Sequence, residues 1–280
     1  MKPDSGIFYS LVVQLIAEHD ATLPATHGDL GHAAFLVMIR AVQPELAQVL
    51  HDHHGRKPFT VSPLRDLPPV RNGICRLRAG DQPWLRLTVL DPQLFAAFME
   101  RLLTGPTMTI RLGEAHFQIS QVLGTPGSHP WAGYTTVETL QTGASKEHRI
   151  RLVFASPTAF SLGAKGEVKR RMSVLPVPEL LWGSLRGSWK AFVGQKIPFE
   201  FETWVRDYVV VREVRNWRTH IYQFRNGTQV GGNGDVVFEA LDHDPDHLRT
   251  LNQLADFAFY AGVGYKTTMG MGQVRRVVSR

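Results

Sequence analysis

Apolar side chains fill nearly every position from Phe8 to Ala17, and Glu18-His19-Asp20 ends the run, a pattern that predicts a buried β-strand. The spacing then changes. Phe35, Met38, Ile39, Val42, Leu46 and Val49–Leu50 recur at helical intervals across residues 28–50, with Asp29 as the expected N-cap and a break expected near Pro44. "KPFTVSPL" (57–64) predicts a short strand, and "GICRLRAG" (73–80) and "PWLRLTVL" (83–90) predict strands on either side of a turn at Gly80-Asp81. "DPQLFAAFMERLLTG" (91–105) carries the punctuation of a complete helix: Asp91 to cap it, Pro92 at its first position and Gly105 just past its end. "TMTIRL" (107–112) and "HFQISQVL" (116–123) return to strand. The order β-α-β-β-α-β with one added strand is that of a ferredoxin-like domain.

The turn-rich segment "GTPGSHPWAG" (124–133) reads as a domain boundary. Beyond it the order recurs. "RIRLVFASPTAFSL" (149–162) predicts a strand, "PVPELLWGSLRGSWKAFVG" (176–194) a helix, and "WVRDYVVVREVRNWRTHIYQF" (204–224) two basic strands. "DVVFEAL" (235–241) is a further strand, "DPDHLRTLNQLADFAFYAG" (244–262) a helix capped by Asp244 and opened by Pro245, and "GQVRRVVS" (272–279) a last strand. The predicted fold class is therefore α+β, with two tandem ferredoxin-like (RRM-like) domains at residues 1–125 and 131–280.

A hydrophobic content of 43% over 280 residues supports sizeable cores, and a net charge of +6 favours polyanionic partners. The single cysteine, Cys75, excludes an intrachain disulfide and a cysteine-based metal site, fits a reducing cytoplasm, and reads as a small core residue. The first apolar run is short and lacks a small-residue cleavage site, so it is not read as a signal peptide. No apolar stretch reaches the roughly 20 residues a membrane span needs. A cytoplasmic protein is expected.

Two stretches carry candidate chemistry. In "AGVGYKTTMGMG" (261–272), Gly262, Gly264, Gly270 and Gly272 surround Lys266. A dinucleotide fingerprint needs a strand before the loop and a helix after it, whereas here a helix precedes and a strand follows. A P-loop fails too, because Tyr265 rather than glycine precedes Lys266. What remains is a loop permitting positive φ, whose amides and lysine can cradle a phosphate chain, or a helix C-cap followed by a tight turn. The second stretch, "LHDHHG", places His51, His53 and His54 at a helix end. No cysteine or carboxylate pair completes a tetrahedral metal set there, so no metal site is expected. One imidazole poised near neutral pH is sufficient for acid–base work, and Lys57 is placed to stabilise developing negative charge. "DHDPDH" (242–247) reads as an acidic helix start and Asn226-Gly227 as a turn.

The G-x-G-x5-G-x-G pattern between the last helix and last strand, "ELAQVLHDHHGRKPFTVSPL" (45–64) and "VFASPTAF" (153–160) together resemble the CRISPR-associated endoribonucleases. These enzymes process precursor guide RNA and belong to the repeat-associated RNA-binding superfamily with a C-terminal glycine-rich loop. The resemblance spans most of the chain. It implies cleavage of CRISPR repeat RNA without metal or cofactor, by 2′-OH attack that leaves a 2′,3′-cyclic phosphate and a 5′-hydroxyl. It places the catalytic histidine on His51 and a supporting lysine on Lys57. Some members carry a tyrosine upstream, where this chain has Leu36 beside Phe35, so His32, His53 or His54 is left to supply a second acid–base group. The glycines and Lys266 are expected to touch RNA, as are Lys165, Lys169, Arg170 and Arg171 on a hairpin tip. Arg206, Arg212, Arg215, Arg218 and Arg225 line the predicted strands alongside Trp204, Trp217 and Tyr222, a mixture suited to phosphates and unpaired bases. The expected partners are repeat RNA and other effector subunits, the chain being a monomer or homodimer. The alternative is a non-cutting RNA-binding subunit of an effector complex.

Overall fold

The computed structural model describes residues 6–105, 108–166 and 171–277. The first half runs β1 (Ile7–Ala17), β2 (Ala21–Pro24), α1 (Gly28–Arg40), α2 (Pro44–Asp52), β3 (Phe59–Val61), β4 (Ile74–Leu77), β5 (Trp84–Val89), α3 (Pro92–Thr104), β6 (Thr109–Leu112) and β7 (Ala115–Leu123). A short link, β8 (Gly133–Thr136) and α4 (Val137–Thr142), leads to the second half. There follow β9 (Arg149–Thr158), β10 (Phe160–Ser161), β11 (Met172–Ser173), α5 (Pro178–Val193), α6 (Phe199–Tyr208), β12 (Val209–Phe224), β13 (Gly227–Ala240), α7 (Pro245–Ala261), a 3-10 turn at Thr267–Met269, and β14 (Val274–Val277).

The first sheet has the order β3-β5-β1-β7-β6 and the second β12-β13-β9-β14. Both place the first and third strands of a β-α-β-β-α-β unit side by side, with every pairing antiparallel. The chain is thus α+β with two ferredoxin-like folds in tandem. The first sheet is a curled half-barrel, extended by β8, which pairs with the start of β1 through Ile7–Ser10 and so adds residues 133–136 to the first sheet.

Local sequence explains most boundaries. Pro44 opens α2 at a position where its missing N–H costs nothing, which separates α2 from α1. Asp91 accepts from the Leu94 amide at 2.8 Å, and Asp244 from the Asp246 and His247 amides. Three expectations need correction. The N-cap of α1 is His27; Asp29 lies in the first turn, where its carboxylate accepts from the amides of Leu30 and Arg225. The strands flanking Gly80-Asp81 do not pair with each other: β4 joins β2 in a separate ribbon, while β5 runs between β1 and β3. Residues 204–224 are not two strands. Phe201, Trp204 and Val205 bury one face of α6, and a single long strand then runs to the reversal at Arg225-Asn226.

Each fold has its own core, one built around Phe35, Phe59, Phe98 and Phe117, the other around Phe154, Trp182, Trp189, Phe238 and Phe257. Cys75 is buried in the first. Phe8 crosses from β1 into the second core, its ring 5.6 Å from that of Phe257. Arg86 ties the two halves together. Its fully buried guanidinium donates to Ser10 Oγ (2.8 Å), Gln273 Oε1 (2.8 Å) and the Phe259 carbonyl, and lies over the rings of Trp131 and Phe259. Burial pulls its pKa down to about 9.

Candidate active site

His51 occupies the last turn of α2 with its side chain in solvent. The linker that follows turns back, so that Lys57 Nζ donates to the His51 carbonyl at 3.3 Å. Partial burial lowers the Lys57 pKa, and the nearby Asp52 carboxylate offsets part of that effect. His53 and His54 diverge from this point. The His53 ring folds over Gly55, where an added Cβ would meet its Nε2 at 2.6 Å, while His54 lines a neighbouring cleft.

His32, one turn into α1, faces the same region from the other side. Its ring stacks on Phe59 and is buried to 8% exposure, and Nδ1 has no hydrogen-bond partner among the described residues. Burial, then the positive charge of Lys57 and the proximity of His51, pull its pKa down to about 4, against a raising contribution from the Thr268 backbone. Four segments therefore converge here: α1, the end of α2, the 53–57 linker and the glycine-rich loop. Leu36 and Phe35, at the position of the missing tyrosine, are core residues. His27 is a structural histidine, since Nδ1 donates to the Pro24 carbonyl at 3.0 Å and Nε2 accepts from the Leu64 amide at 2.9 Å.

The glycine-rich loop is a seam between the halves. All four glycines have positive φ. Their amides are occupied: Gly262 donates to Ala258, Gly264 to Ser184 Oγ, Gly270 to Val61 and Gly272 to Pro157. These four amides are therefore not the phosphate cradle the sequence suggests. The glycines are needed for close approach instead, because a Cβ on Gly272 would lie 2.1 Å from the Val263 oxygen and one on Gly264 2.3 Å from the Ala159 oxygen. The loop presents Tyr265, Lys266, Thr267 and Thr268 on its partly exposed side. Lys266 Nζ sits 3.5 Å from the centroid of the Phe224 ring.

Beside Lys57 opens a cleft of about 660 Å3, walled by the linker, a half-buried face of α5 and this loop. Sequence reasoning missed the α5 wall and Arg56, although the repeated Gly-Ser of "GSLRGS" (183–188) marks a helix face without bulk. The expected basic platform is only partly available. Trp204 and Tyr222 are buried: the Trp204 indole donates to Asp242, and the Tyr222 hydroxyl accepts from the Gly28 amide. Trp217 packs edge-on against Phe154. Arg206, Arg212 and Arg215 are ion-paired with Asp207, Glu239 and Glu213, whereas Arg218 and Arg225 stand exposed on the same hairpin. Of the hairpin-tip residues, Lys165 is exposed and Arg171 donates to the Leu162 carbonyl; Lys169 and Arg170 lie outside the described residues. Among the described residues the one histidine–carboxylate trio with metal-ligand spacing is Glu18, His19 and His116, exposed where β1 ends beside β7.

Comparison with known proteins places this geometry. The CRISPR Cas6 N-terminal domain profile matches residues 7–142, and that of the CRISPR-associated endoribonuclease Cas6 matches residues 152–274. The chain belongs to the Cas6 family. Among solved structures, a Cas6 product complex is 31% identical, with a TM-score of 0.81 over 96% of this chain and 100% of that one. A Thermus thermophilus Cas6 is 29% identical, with a TM-score of 0.74 over 98% of this chain and 100% of that one. A Cas6-related protein from Pyrococcus furiosus shares the fold at 14% identity, with a TM-score of 0.65 over 98% and 100%. No curated protein matches by sequence. Among the described residues, no helix of this Cas6 chain is long and apolar enough to cross a membrane.

Proposed function

We propose that this Cas6 protein binds CRISPR repeat RNA and cuts the precursor transcript into guide RNAs without a metal ion. The observation that carries the reading is the convergence of His51, Lys57 and the unpartnered Nδ1 of His32 beside the glycine-rich loop. Cleavage requires removal of the proton from a ribose 2′-OH, attack of that oxygen on the adjacent phosphorus, and protonation of the departing 5′ oxygen. The products are a 2′,3′-cyclic phosphate and a 5′-hydroxyl. His51, exposed at a helix end, is the general acid–base residue. Lys57 stabilises the charge on the phosphorane oxygens. His32 is the second group: neutral in the free protein, it gains proton affinity when the negative charge of the scissile phosphate, which grows at the phosphorane, lies beside it. The RNA strand is held by Lys266 and the side chains of the loop, with the glycines shaping that surface, and by Lys165 and Arg171 through phosphate contacts. Other effector subunits, and a second copy of the chain, are candidate partners. The complex works in the cytoplasm.

The test incubates repeat RNA with wild type and His51→Ala in EDTA. Wild type is expected to cleave as fast as without EDTA, and the variant to bind equally but cut at least about 100-fold more slowly. Cleavage abolished by EDTA refutes the metal-free mechanism, and unchanged cleavage by the variant removes His51 from the site. A wild type that binds without cutting identifies a non-catalytic subunit.

A further inference from the structure

The cleft beside Lys57 has features that duplex binding does not explain. Its volume of about 660 Å3 falls in the ~300–1,000 Å3 range of sites for single small ligands, and no stem can enter it. One wall is the Gly183–Ser188 face of α5, where the two glycines have different roles. A Cβ on Gly187 would meet the Arg56 guanidinium at 2.7 Å, so Arg56 lies flat against the helix, and its Nη1 donates to Ser188 Oγ at 2.9 Å. Among the described residues a Cβ on Gly183 would meet nothing within 4 Å, so the space above it is open. The glycine-rich loop with Tyr265, and the partly buried Phe192 of α5, also line the cleft. Ser184 Oγ accepts from the Gly264 amide at 3.0 Å, which directs its own hydroxyl proton elsewhere. The Glu179 carboxylate, also in the wall, is an acceptor for exocyclic amines.

Resting on the nuclease reading above, we propose that this cleft holds one unpaired nucleotide adjacent to the scissile phosphate. Arg56, pre-positioned on Gly187 one residue before Lys57, grips that nucleotide's phosphate. The base lies over Gly183 against the aromatic lining of Tyr265 and Phe192, with Ser184 and Glu179 meeting its polar edge. The site thereby fixes the cleavage position: seating one nucleotide in the cleft brings the neighbouring phosphodiester to Lys57 and His51. An anchored guanidinium, an aromatic wall and an unfilled glycine floor are the combination that recognises a single nucleotide by stacking and phosphate contact.

The test uses Gly183→Leu, which fills the space above the helix and substitutes a good helix former at a position without steric conflict. Repeat RNA is made uncleavable by a 2′-deoxy sugar 5′ to the cut, and each of the two nucleotides on either side of the cut is replaced in turn by an abasic residue. In wild type, one abasic position is expected to weaken binding about tenfold. In Gly183→Leu the same replacement is expected to cost nothing, and cleavage of intact RNA is expected to lose its single position. Arg56→Ala is expected to weaken binding with a salt slope shallower by about one. If wild type binds the RNA and no abasic position depends on residue 183, the inference is overturned while the nuclease reading stands. If wild type binds no repeat RNA, both fall.

Discussion

His32 offers a direct test, because its burial affects stability and activity in opposite ways. It is 8% exposed, stacked on Phe59, and held at a pKa of about 4 against an ordinary 6.5, with desolvation the largest cause. The direction follows from linkage. Between pH 6.5 and about 4 the unfolded chain protonates this imidazole and the folded chain does not, so stability is lost as pH falls through that window. At about 1.4 kcal/mol per pH unit the loss is about 2 kcal/mol by pH 5 and about 3 kcal/mol by pH 4. His27 shifts in the same direction, so the measurement must be a difference. Urea unfolding of wild type and His32→Leu is followed from pH 7.5 to pH 5. At pH 7.5 the variant is expected to match or exceed wild type, because an unsatisfied buried nitrogen is removed, a relief of roughly 1–3 kcal/mol set against imperfect packing. At pH 5 its advantage is expected to be about 2 kcal/mol larger. Cleavage by the variant is expected to fall at least about 100-fold at both pH values. A stability difference independent of pH refutes the buried neutral imidazole. A stabilised variant that still cuts at the wild-type rate refutes its catalytic use.

Lys57→Met is expected to lower kcat by about 100-fold with KM nearly unchanged in steady-state cleavage, since the charge it meets develops only in the transition state. Gly272→Ala introduces a Cβ 2.1 Å from the Val263 oxygen at a φ of 71°, and calorimetry is expected to show a Tm several degrees below that of Gly183→Ala. Arg86→Met leaves acceptors on Ser10, Gln273 and Phe259 without their donor, each worth roughly 1–3 kcal/mol, so denaturant unfolding is expected to show a loss of about 3 kcal/mol or more. Lys266→Ala is expected to weaken RNA binding with a salt slope shallower by about one; an unchanged slope removes Lys266 from the phosphate contacts.

Periodicity and punctuation were enough to determine the two β-α-β-β-α-β units. The helix signals of α3 and α7, each an aspartate followed by proline, act within one turn and do not depend on the rest of the chain. The residues themselves showed a histidine-rich helix end followed by a lysine, and the family resemblance singled out His51 and Lys57; the structure returns Lys57 to the end of the helix that carries His51. The role of the glycine-rich loop was not legible. A sequence shows that four glycines allow unusual φ, but hydrogen-bond partners as distant as Val61 and Pro157 decide whether their amides remain available. The same holds for Trp204 and Tyr222, whose aromatic character suits base stacking until their burial is known. His32 and Arg56 gain their meaning from contacts between segments remote in the chain: α1 with the 3-10 turn, and the 53–57 linker with α5. Local chemistry thus determined which elements form and which side chains can do acid–base work. Only tertiary packing, by burying some groups and bringing others together, decided which of them share a site.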